Sequence, residues 1–348
     1  PEMTPTLARM AGARANSLRK PVRWFSIPQL FRYERQQRGR LREHFQLNVD
    51  IIGEPSSSAD AELLSVAVDI MRAFGLGPAD VVARVSDRRI LQGYLAALGV
   101  GEEALPAVFA VIDKIDRQPR AVSEEKLAAA GLGDDAREKI LSLPEASLDD
   151  LAACLGGTPT EGVVEEFRSY LGYLDALGVG DWVKVDFAIV RGLAYYTGIV
   201  FELFDARGEL RAICGGGRYD TLLKSLGGAD LPALGFGMGD VVLGELLRER
   251  SLLPAAASTV EMWVAYTEDA DVRDAMRIAS RLRSRGRSVE YALGGQKLAR
   301  QLKAAVSAGA EEVVIVSAAA MDGGEAVVRR LSDGTERRVR LDEWIGDR

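Results

Sequence analysis

The chain has 348 residues, of which 47% are hydrophobic and 27% charged, and its formal net charge is −7. These values are ordinary for a globular protein of two or three domains. No uninterrupted apolar run approaches 20 residues, so the sequence predicts no membrane span. The two cysteines, Cys154 and Cys214, show neither metal-ligand spacing nor a disulfide framework, which predicts a reducing, cytoplasmic setting.

An arginine-rich segment lies between two hydrophobic segments near the start of the chain. Within eleven residues the sequence places Arg32, Arg35, Arg38, Arg40 and Arg42. The flanking segments, VRWFSIPQLF and FQLNVDIIG, have the composition of strands, and the glycine between them marks a loop. Guanidinium groups bind oxyanions through a planar fork, so this hairpin predicts a phosphate site. From these residues alone, a solvated basic hairpin is an equal alternative.

Positive charge is distributed unevenly, although the whole chain is acidic. Residues 14–43 hold nine Lys or Arg and two acids, and residues 281–303 hold seven and one. Such patches can bind a polyanion at two places, because local charge matters more than the total. The alternative is that both patches are solvated faces.

Beyond the hairpin, the pattern predicts a capped helix over 56–74, a strand over 81–87 and a helix over 88–98. Residues 99–180 are rich in alanine, leucine and acids, which indicates a small helical subdomain. Strand composition then returns at 182–190.

An antiparallel hairpin is predicted next, with its turn at Ala206–Gly208, followed by a Gly-rich turn that carries an arginine. A helix from Tyr219, a strand in LPALGFGMG and a helix over 240–250 complete this region. Residues 251–258 read as a linker. Strands and helices alternate beyond it, which predicts an α/β unit with a mainly parallel sheet.

Five segments together resemble the histidyl-tRNA synthetase family of class II aminoacyl-tRNA synthetases. PEMT is similar to the end of the family's amino-acid-binding turn, FRYER to motif 2 and RGLAYYTGIVFE to the histidine signature. GGGRYDTLL and LGFGMGD follow in the expected order. The resemblance covers nearly the whole chain and begins after the family's motif 1, which the sequence lacks and which would build a dimer interface.

The resemblance implies a fold of the α/β class. It consists of an α+β catalytic domain with an antiparallel sheet (1–98 and 181–250), a helical insertion (99–180) and a C-terminal α/β anticodon-binding domain (259–348). The implied activity is ATP-dependent activation of L-histidine and transfer to tRNA(His), with Mg²⁺ and in a homodimer. Two alternatives stay open: a non-catalytic paralogue, such as the regulatory subunit of ATP phosphoribosyltransferase, and a tRNA-binding module.

For catalysis, the resemblance implies that Arg32 and Arg191 bridge the substrate carboxylate and the ATP α-phosphate. Val242 stands where the family's motif 3 carries an arginine, which leaves ATP handling in question. We hypothesise that Arg40 or Arg218 performs part of the missing phosphate binding. Ala194 and Asp50 are further departures, replacing an aspartate and a glutamate.

For histidine binding, the resemblance implies two arginines and six other residues, namely Arg32, Arg191, Glu2, Thr4, Gln46, Asp50, Tyr195 and Tyr196. Gln46 and Asp50 lie four apart on one strand, so their side chains share a face. Because adjacent strand residues alternate, only one tyrosine ring is expected to enter the site, and Tyr196 is favoured.

The implied tRNA contacts are Gln37 and Arg38 in the hairpin and Arg281, Arg285 and Arg287 in the C-terminal region. No metal ligands are assigned. The one histidine, His44, is interpreted as a packing or supporting residue rather than a catalytic base, because the substrate carboxylate is already nucleophilic.

Overall fold

The computed structural model describes residues 2–33, 41–115, 117–190, 195–208, 210–253, 260–268, 271–317 and 324–346. The chain divides into two compact units, Pro1–Leu253 and Pro254–Arg348. Each has its own hydrophobic core.

The first unit is built on an eight-stranded sheet with the order β1-β3-β8-β7-β6-β4-β5, and β2 pairs with β3. All pairs are antiparallel except β4 with β5. The predicted antiparallel sheet is therefore confirmed. Its strands are β1 Val22–Ser26, β2 Gln29–Phe31, β3 Glu43–Ile52, β4 Val81–Asp87, β5 Val183–Val185, β6 Ile199–Asp205, β7 Cys214–Arg218 and β8 Ala233–Gly239.

Helices cover the sheet and fill the predicted helical segment. The Asp87 carboxylate accepts a hydrogen bond from the Arg89 N–H at 2.8 Å and so caps the third helix. Short 3₁₀ turns lie at Leu143–Glu145 and Gly180–Trp182. The helices are α1 Thr4–Ala13, α2 Ser57–Ala73, α3 Arg88–Ala97, α4 Leu105–Ile112, α5 Arg120–Ala129, α6 Asp134–Leu141, α7 Leu148–Leu155, α8 Glu161–Ala176, α9 Leu222–Ser225 and α10 Asp240–Glu249.

Two sequence predictions about strands are wrong. The strand expected over 182–190 ends at Val185, because the buried Asp186 carboxylate accepts a hydrogen bond from the Ala188 N–H at 3.0 Å and turns the chain. The expected Gly-rich turn is instead the buried strand β7. A Cβ on Gly216 would lie 2.6 Å from the Phe236 Cβ, so close strand packing explains this glycine.

The second unit has a five-stranded sheet with the order β10-β9-β11-β12-β13. Within the described part of this unit, β9 pairs in parallel with β10 and β11, and the remaining pairs are antiparallel. The prediction of a mainly parallel sheet is therefore correct for two of these four strand pairs and wrong for the other two. The elements are β9 Met262–Tyr266, α11 Val272–Ser284, β10 Val289–Tyr291, α12 Leu298–Ser307, β11 Glu312–Val316, β12 Glu325–Arg330, β13 Glu336–Arg340 and a last helix, Leu341–Gly346.

A buried ion pair ties α2 to the central strand β7. The Arg218 guanidinium donates to the Asp60 carboxylate, and both side chains are almost wholly buried. Burial raises the pKa of Asp60 to about 6 although Arg218 lies against it, so the carboxylate is still ionised at pH 7. The pair therefore compensates two charges that would otherwise be buried alone.

Removing Arg218 should destabilise the protein strongly. Arg218→Ala leaves Asp60 buried without its partner, and we expect the free energy of unfolding to fall by about 3–5 kcal/mol. Arg23→Ala is the matched control, because Arg23 pairs with Glu62 at 3.2 Å on the exposed surface, where loss costs about 1 kcal/mol or less. Urea denaturation followed by circular dichroism measures both, and equal losses would contradict the assigned role of the buried pair.

Candidate active site

A cavity of about 860 Å³ opens on the first unit. Its lining comes from the start of the chain, the β2–β3 hairpin, β6, the segment leading into β7, β8 and the first turn of α10. It therefore collects several of the sequence segments that carry the family resemblance.

Alternate residues of β3 present a polar face at the cavity. His44, Gln46 and Asn48 line it, and the Gln46 Nε2 group donates to the Asn48 Oδ1 atom at 3.0 Å. Asp50 continues this face but is buried, and it accepts a hydrogen bond from the Tyr219 hydroxyl. Burial raises the pKa of Asp50 to about 6, and the Tyr219 hydrogen bond limits the shift.

Glycines in β8 make room for this polar face. The register places Asp50 opposite Gly235 and Asn48 opposite Gly237. A Cβ on Gly237 would lie 2.5 Å from the Gln46 Nε2 atom, and one on Gly235 would collide with the Asp50 carboxylate. Gly235 and Gly237 therefore leave the space that the Asp50 and Gln46 side chains occupy.

The start of the chain and the tyrosine pair meet at the cavity. The Tyr195 hydroxyl donates to the Glu2 carboxylate, and Thr4 lines the same region. Burial raises the pKa of Tyr195 far above its ordinary value, so the phenol stays a donor. Both Tyr195 and Tyr196 line the cavity, with ring centroids 5.1 Å apart. The expectation that one ring enters is wrong, because Tyr195 lies in a turn where strand alternation does not apply.

Arg32 lies at the end of β2 and lines the cavity. Its backbone N–H donates to the Arg42 carbonyl at 2.9 Å and so holds the two arms of the hairpin together. His44 also lines the cavity, and burial, with Arg32 nearby, lowers the pKa of its imidazole. The ring is therefore neutral at pH 7.

The geometry argues against the hypothesis that Arg218 binds ATP. Its guanidinium donates to Asp60, to Asp220 at 3.2 Å, and to the carbonyls of Glu54 and Ser56, both at 3.1 Å. These bonds occupy every N–H group of the side chain. Asp50 is likewise not on the cavity surface, which argues against direct contact with a ligand.

Four residues of the predicted site lie outside the described residues, namely Gln37, Arg38, Arg40 and Arg191. Ala194 also lies outside them.

The sequence did not single out four polar residues that line the cavity, namely Asn48, Arg117, Glu202 and Arg211. Asn48 could have been found, because it lies between Gln46 and Asp50 on the predicted face of one strand. Arg117 and Arg211 belong to connecting segments with no motif, and only the fold brings them to the cavity.

The basic patch of the second unit is partly neutralised. Arg281 pairs with Asp342 at 3.0 Å, and Arg287 pairs with Glu261 at 2.7 Å. Arg285 follows α11 directly and is exposed.

The described residues contain no group of three or more His, Cys, Asp or Glu side chains arranged to hold a metal ion. Across the same ranges, none of the helices has the length and apolar character needed to cross a membrane.

Comparison with known proteins identifies the family. The sequence profile of the histidyl-tRNA synthetase family matches residues 1–239. A chloroplastic/mitochondrial histidine–tRNA ligase of Arabidopsis thaliana is 41% identical over 344 residues, covering 99% of this chain and 70% of that protein. A histidine–tRNA ligase of Opitutus terrae is 40% identical, covering 97% of this chain and 79% of its relative.

Two solved structures share the fold. The histidyl-tRNA synthetase of Nostoc sp. PCC 7120 has a TM-score of 0.76 at 24% identity and covers 99% of this chain and 82% of that chain. A Bacillus halodurans chain, described as an ATP phosphoribosyltransferase regulatory subunit/histidyl-tRNA synthetase, has a TM-score of 0.70 at 20% identity, with 91% and 79% covered. At these identities the likeness shows the fold alone.

The antiparallel sheet and its structural neighbours define a class II aminoacyl-tRNA synthetase fold. Because the family profile matches more than half of the chain and ligases 40–41% identical match nearly all of it, the chain belongs to the histidyl-tRNA synthetase family. The predicted family and fold class are confirmed, and the ligase assignment is favoured over the regulatory subunit.

Adding a methyl group to the cavity floor should disturb the polar face. Gly235→Ala places a Cβ 2.8 Å from the Val49 carbonyl oxygen of the neighbouring strand and against the buried Asp50 carboxylate, and we expect a loss of about 1–3 kcal/mol in the free energy of unfolding, as for other overpacked sites. Gly244→Ala is the matched control, since a Cβ there meets open space within α10, and we expect a gain of about 0.5–1 kcal/mol. Chemical denaturation of both variants measures the two changes, and a neutral Gly235→Ala would contradict the packing account.

Proposed function

We propose that this chain activates L-histidine with ATP to form histidyl-adenylate and pyrophosphate, and then transfers histidine to tRNA(His). The observation that carries the proposal is one cavity that joins Arg32 to the polar set of Gln46, Tyr195 and Glu2. An amino acid and a nucleotide can therefore be held side by side.

Activation requires two anions, the histidine carboxylate and the ATP α-phosphate, to approach each other. Arg32 is proposed to lie between them, which its position in the cavity lining at the end of β2 supports. Arg191 is proposed as the second cation. Holding two reactants in the correct orientation lowers the barrier by several kcal/mol without covalent catalysis, and a fixed cation stabilises the charge that develops on the phosphate oxygens.

Histidine recognition is assigned to the polar side of the cavity. The Glu2 carboxylate and Thr4 suit the α-ammonium group, whereas Gln46 and the tyrosine pair suit the imidazole ring. The buried Asp50 is proposed to act through Tyr219, because its carboxylate accepts a hydrogen bond from the Tyr219 hydroxyl. A site that hydrogen-bonds a polar ring rejects apolar analogues strongly, because its buried partners would be left unpaired.

Magnesium is proposed to accompany ATP. A magnesium ion bound with nucleotide phosphates needs only one or two protein carboxylates. Glu202 lines the same cavity. Its carboxylate is a suitable oxygen ligand, so Glu202 is the residue that would hold the ion. When bound, the ion would neutralise phosphate charge.

The tRNA is proposed to contact two regions. Gln37 and Arg38 of the hairpin are assigned to the acceptor end, and Arg281, Arg285 and Arg287 to the anticodon end in an anticodon-binding domain. Phosphate contacts by arginine supply affinity that is largely independent of sequence.

A homodimer is also proposed. Trp24, Phe25 and Ile27 are exposed, Phe25 by 73%, and they lie on or beside β1 at the edge of the sheet. Apolar side chains exposed along a sheet edge support an interaction site there. A cytoplasmic setting is proposed from the two free cysteines.

Histidine-dependent exchange between ATP and pyrophosphate tests the proposed activation. We expect exchange with L-histidine in the natural protein, and a loss of about a hundredfold or more in Arg32→Ala, the scale for one preorganised charge contact. Arg19→Ala, an exposed arginine outside the cavity, is the control and should retain full exchange. Histidine binding without any exchange would instead favour a regulatory protein.

Charging of tRNA tests the second unit. Arg285→Glu should raise the apparent KM for tRNA several-fold and leave pyrophosphate exchange unchanged, because phosphate contacts lie apart from the chemistry. Arg273→Glu, at the opposite end of α11 and also exposed, is the control. The assignment fails if both variants impair charging equally, or if Arg285→Glu impairs exchange as much as charging.

A further inference from the structure

One wall of the cavity is almost entirely uncharged. It consists of the segment leading into β7, the cavity side of β8 and the start of α10. Among the described residues that line this wall, Arg211 alone is charged. The others are small or apolar, namely Ala212, Ile213, Cys214, Gly215, Gly235, Phe236, Gly237, Gly239, Val241 and Val242.

The fold places Arg211 beside the start of α10. Cys214 pairs with Met238 in the sheet, so residues 211–213 run along the end of β8, where the helix begins at Asp240. The Ile213 N–H donates to the Leu203 carbonyl at 2.8 Å and fixes this segment to β6. The segment that carries Arg211 is therefore anchored two to three residues later, where Ile213 bonds to β6 and Cys214 pairs with β8.

The chemistry of this wall fits a purine nucleotide. The flat faces of a purine pack on small apolar side chains, and its phosphates require a cation at the edge of that surface. In the proposed function, Arg32 and Glu2 meet the amino acid. Arg211 is thus a cation of this wall that remains for the nucleotide.

We infer that Arg211 is a nucleotide-binding residue, which contacts the polyphosphate of ATP while Val241, Val242 and Ala212 pack against the base. This inference rests on the proposed activation of histidine by ATP, and it assigns to Arg211 the phosphate binding that Arg218 cannot perform. Arg211 touches the substrate but not the reacting carboxylate, so it should govern ATP affinity rather than histidine affinity.

Pyrophosphate exchange in the full chain, with ATP and L-histidine varied separately, tests the inference. Arg211→Ala should raise the KM for ATP roughly 10- to 100-fold, the range for losing a charge-assisted hydrogen bond. The KM for histidine should change less than about twofold by the same reasoning. Arg211→Lys keeps the charge without the planar fork, and it should fall between the natural protein and Arg211→Ala.

Arg207→Ala is the matched control, because Arg207 lies four residues earlier on the same connection, is exposed and is not part of the cavity lining. It should leave both KM values unchanged. An unaltered KM for ATP in Arg211→Ala would overturn the inference, and so would equal changes for ATP and histidine. If the unsubstituted protein shows no histidine-dependent exchange, the proposed function is wrong. That result is distinguishable from both KM results, which are measured only when exchange occurs.

Discussion

The site depends on one steric constraint: β8 carries a glycine at each position opposite Gln46, Asn48 and Asp50. Gly215, Gly235, Gly237 and Gly239 line the cavity with bare backbone. The polar side chains of β3 fill the space above them, and the register opposes Gln46 to Gly239 and Asp50 to Gly235. A Cβ on Gly235 or Gly237 would enter the volume that the Asp50 and Gln46 side chains now use, so the polar face of β3 depends on these two glycines.

The opposite face of the same strands packs into the hydrophobic core. Alternate residues such as Leu234, Phe236 and Met238 belong to the main hydrophobic core. Arg218 lies at the end of β7, where its ion pair with Asp60 anchors α2 to the sheet. The sheet therefore has a packed face that fixes its position and a bare face that leaves room for ligands. This division explains why an arginine within a family motif can be structural, whereas Arg211, outside any motif, lies at the cavity.

Patterns with a local cause were predictable from the sequence. The arms of the basic hairpin, the strand Val81–Asp87 and the helices after it follow from periodicity and capping, and the structure confirms them. Gln46 and Glu2 both line the candidate cavity; the resemblance pointed to both, and the strand period pointed to Gln46 as well. Features with a non-local cause were missed. The glycines of β7 look like a turn in isolation, because only the neighbouring strands reveal why side chains are excluded. The donor groups of Arg218 are occupied mainly by Asp60 and by the carbonyls of Glu54 and Ser56, which are distant in the sequence.

The central claim is that this cavity recognises the polar ring of histidine through the face that β3 and the tyrosine pair present. Calorimetric titration of L-histidine and L-phenylalanine into the full chain at pH 7.5 tests it most directly. Both ligands have the same α-ammonium and α-carboxylate groups, but only the ring of histidine has nitrogen atoms that can form hydrogen bonds. The account predicts measurable histidine binding and a dissociation constant for phenylalanine that is roughly 10⁴-fold weaker, since Gln46 and its partners would be left unsatisfied. Comparable affinities for the two amino acids would contradict it.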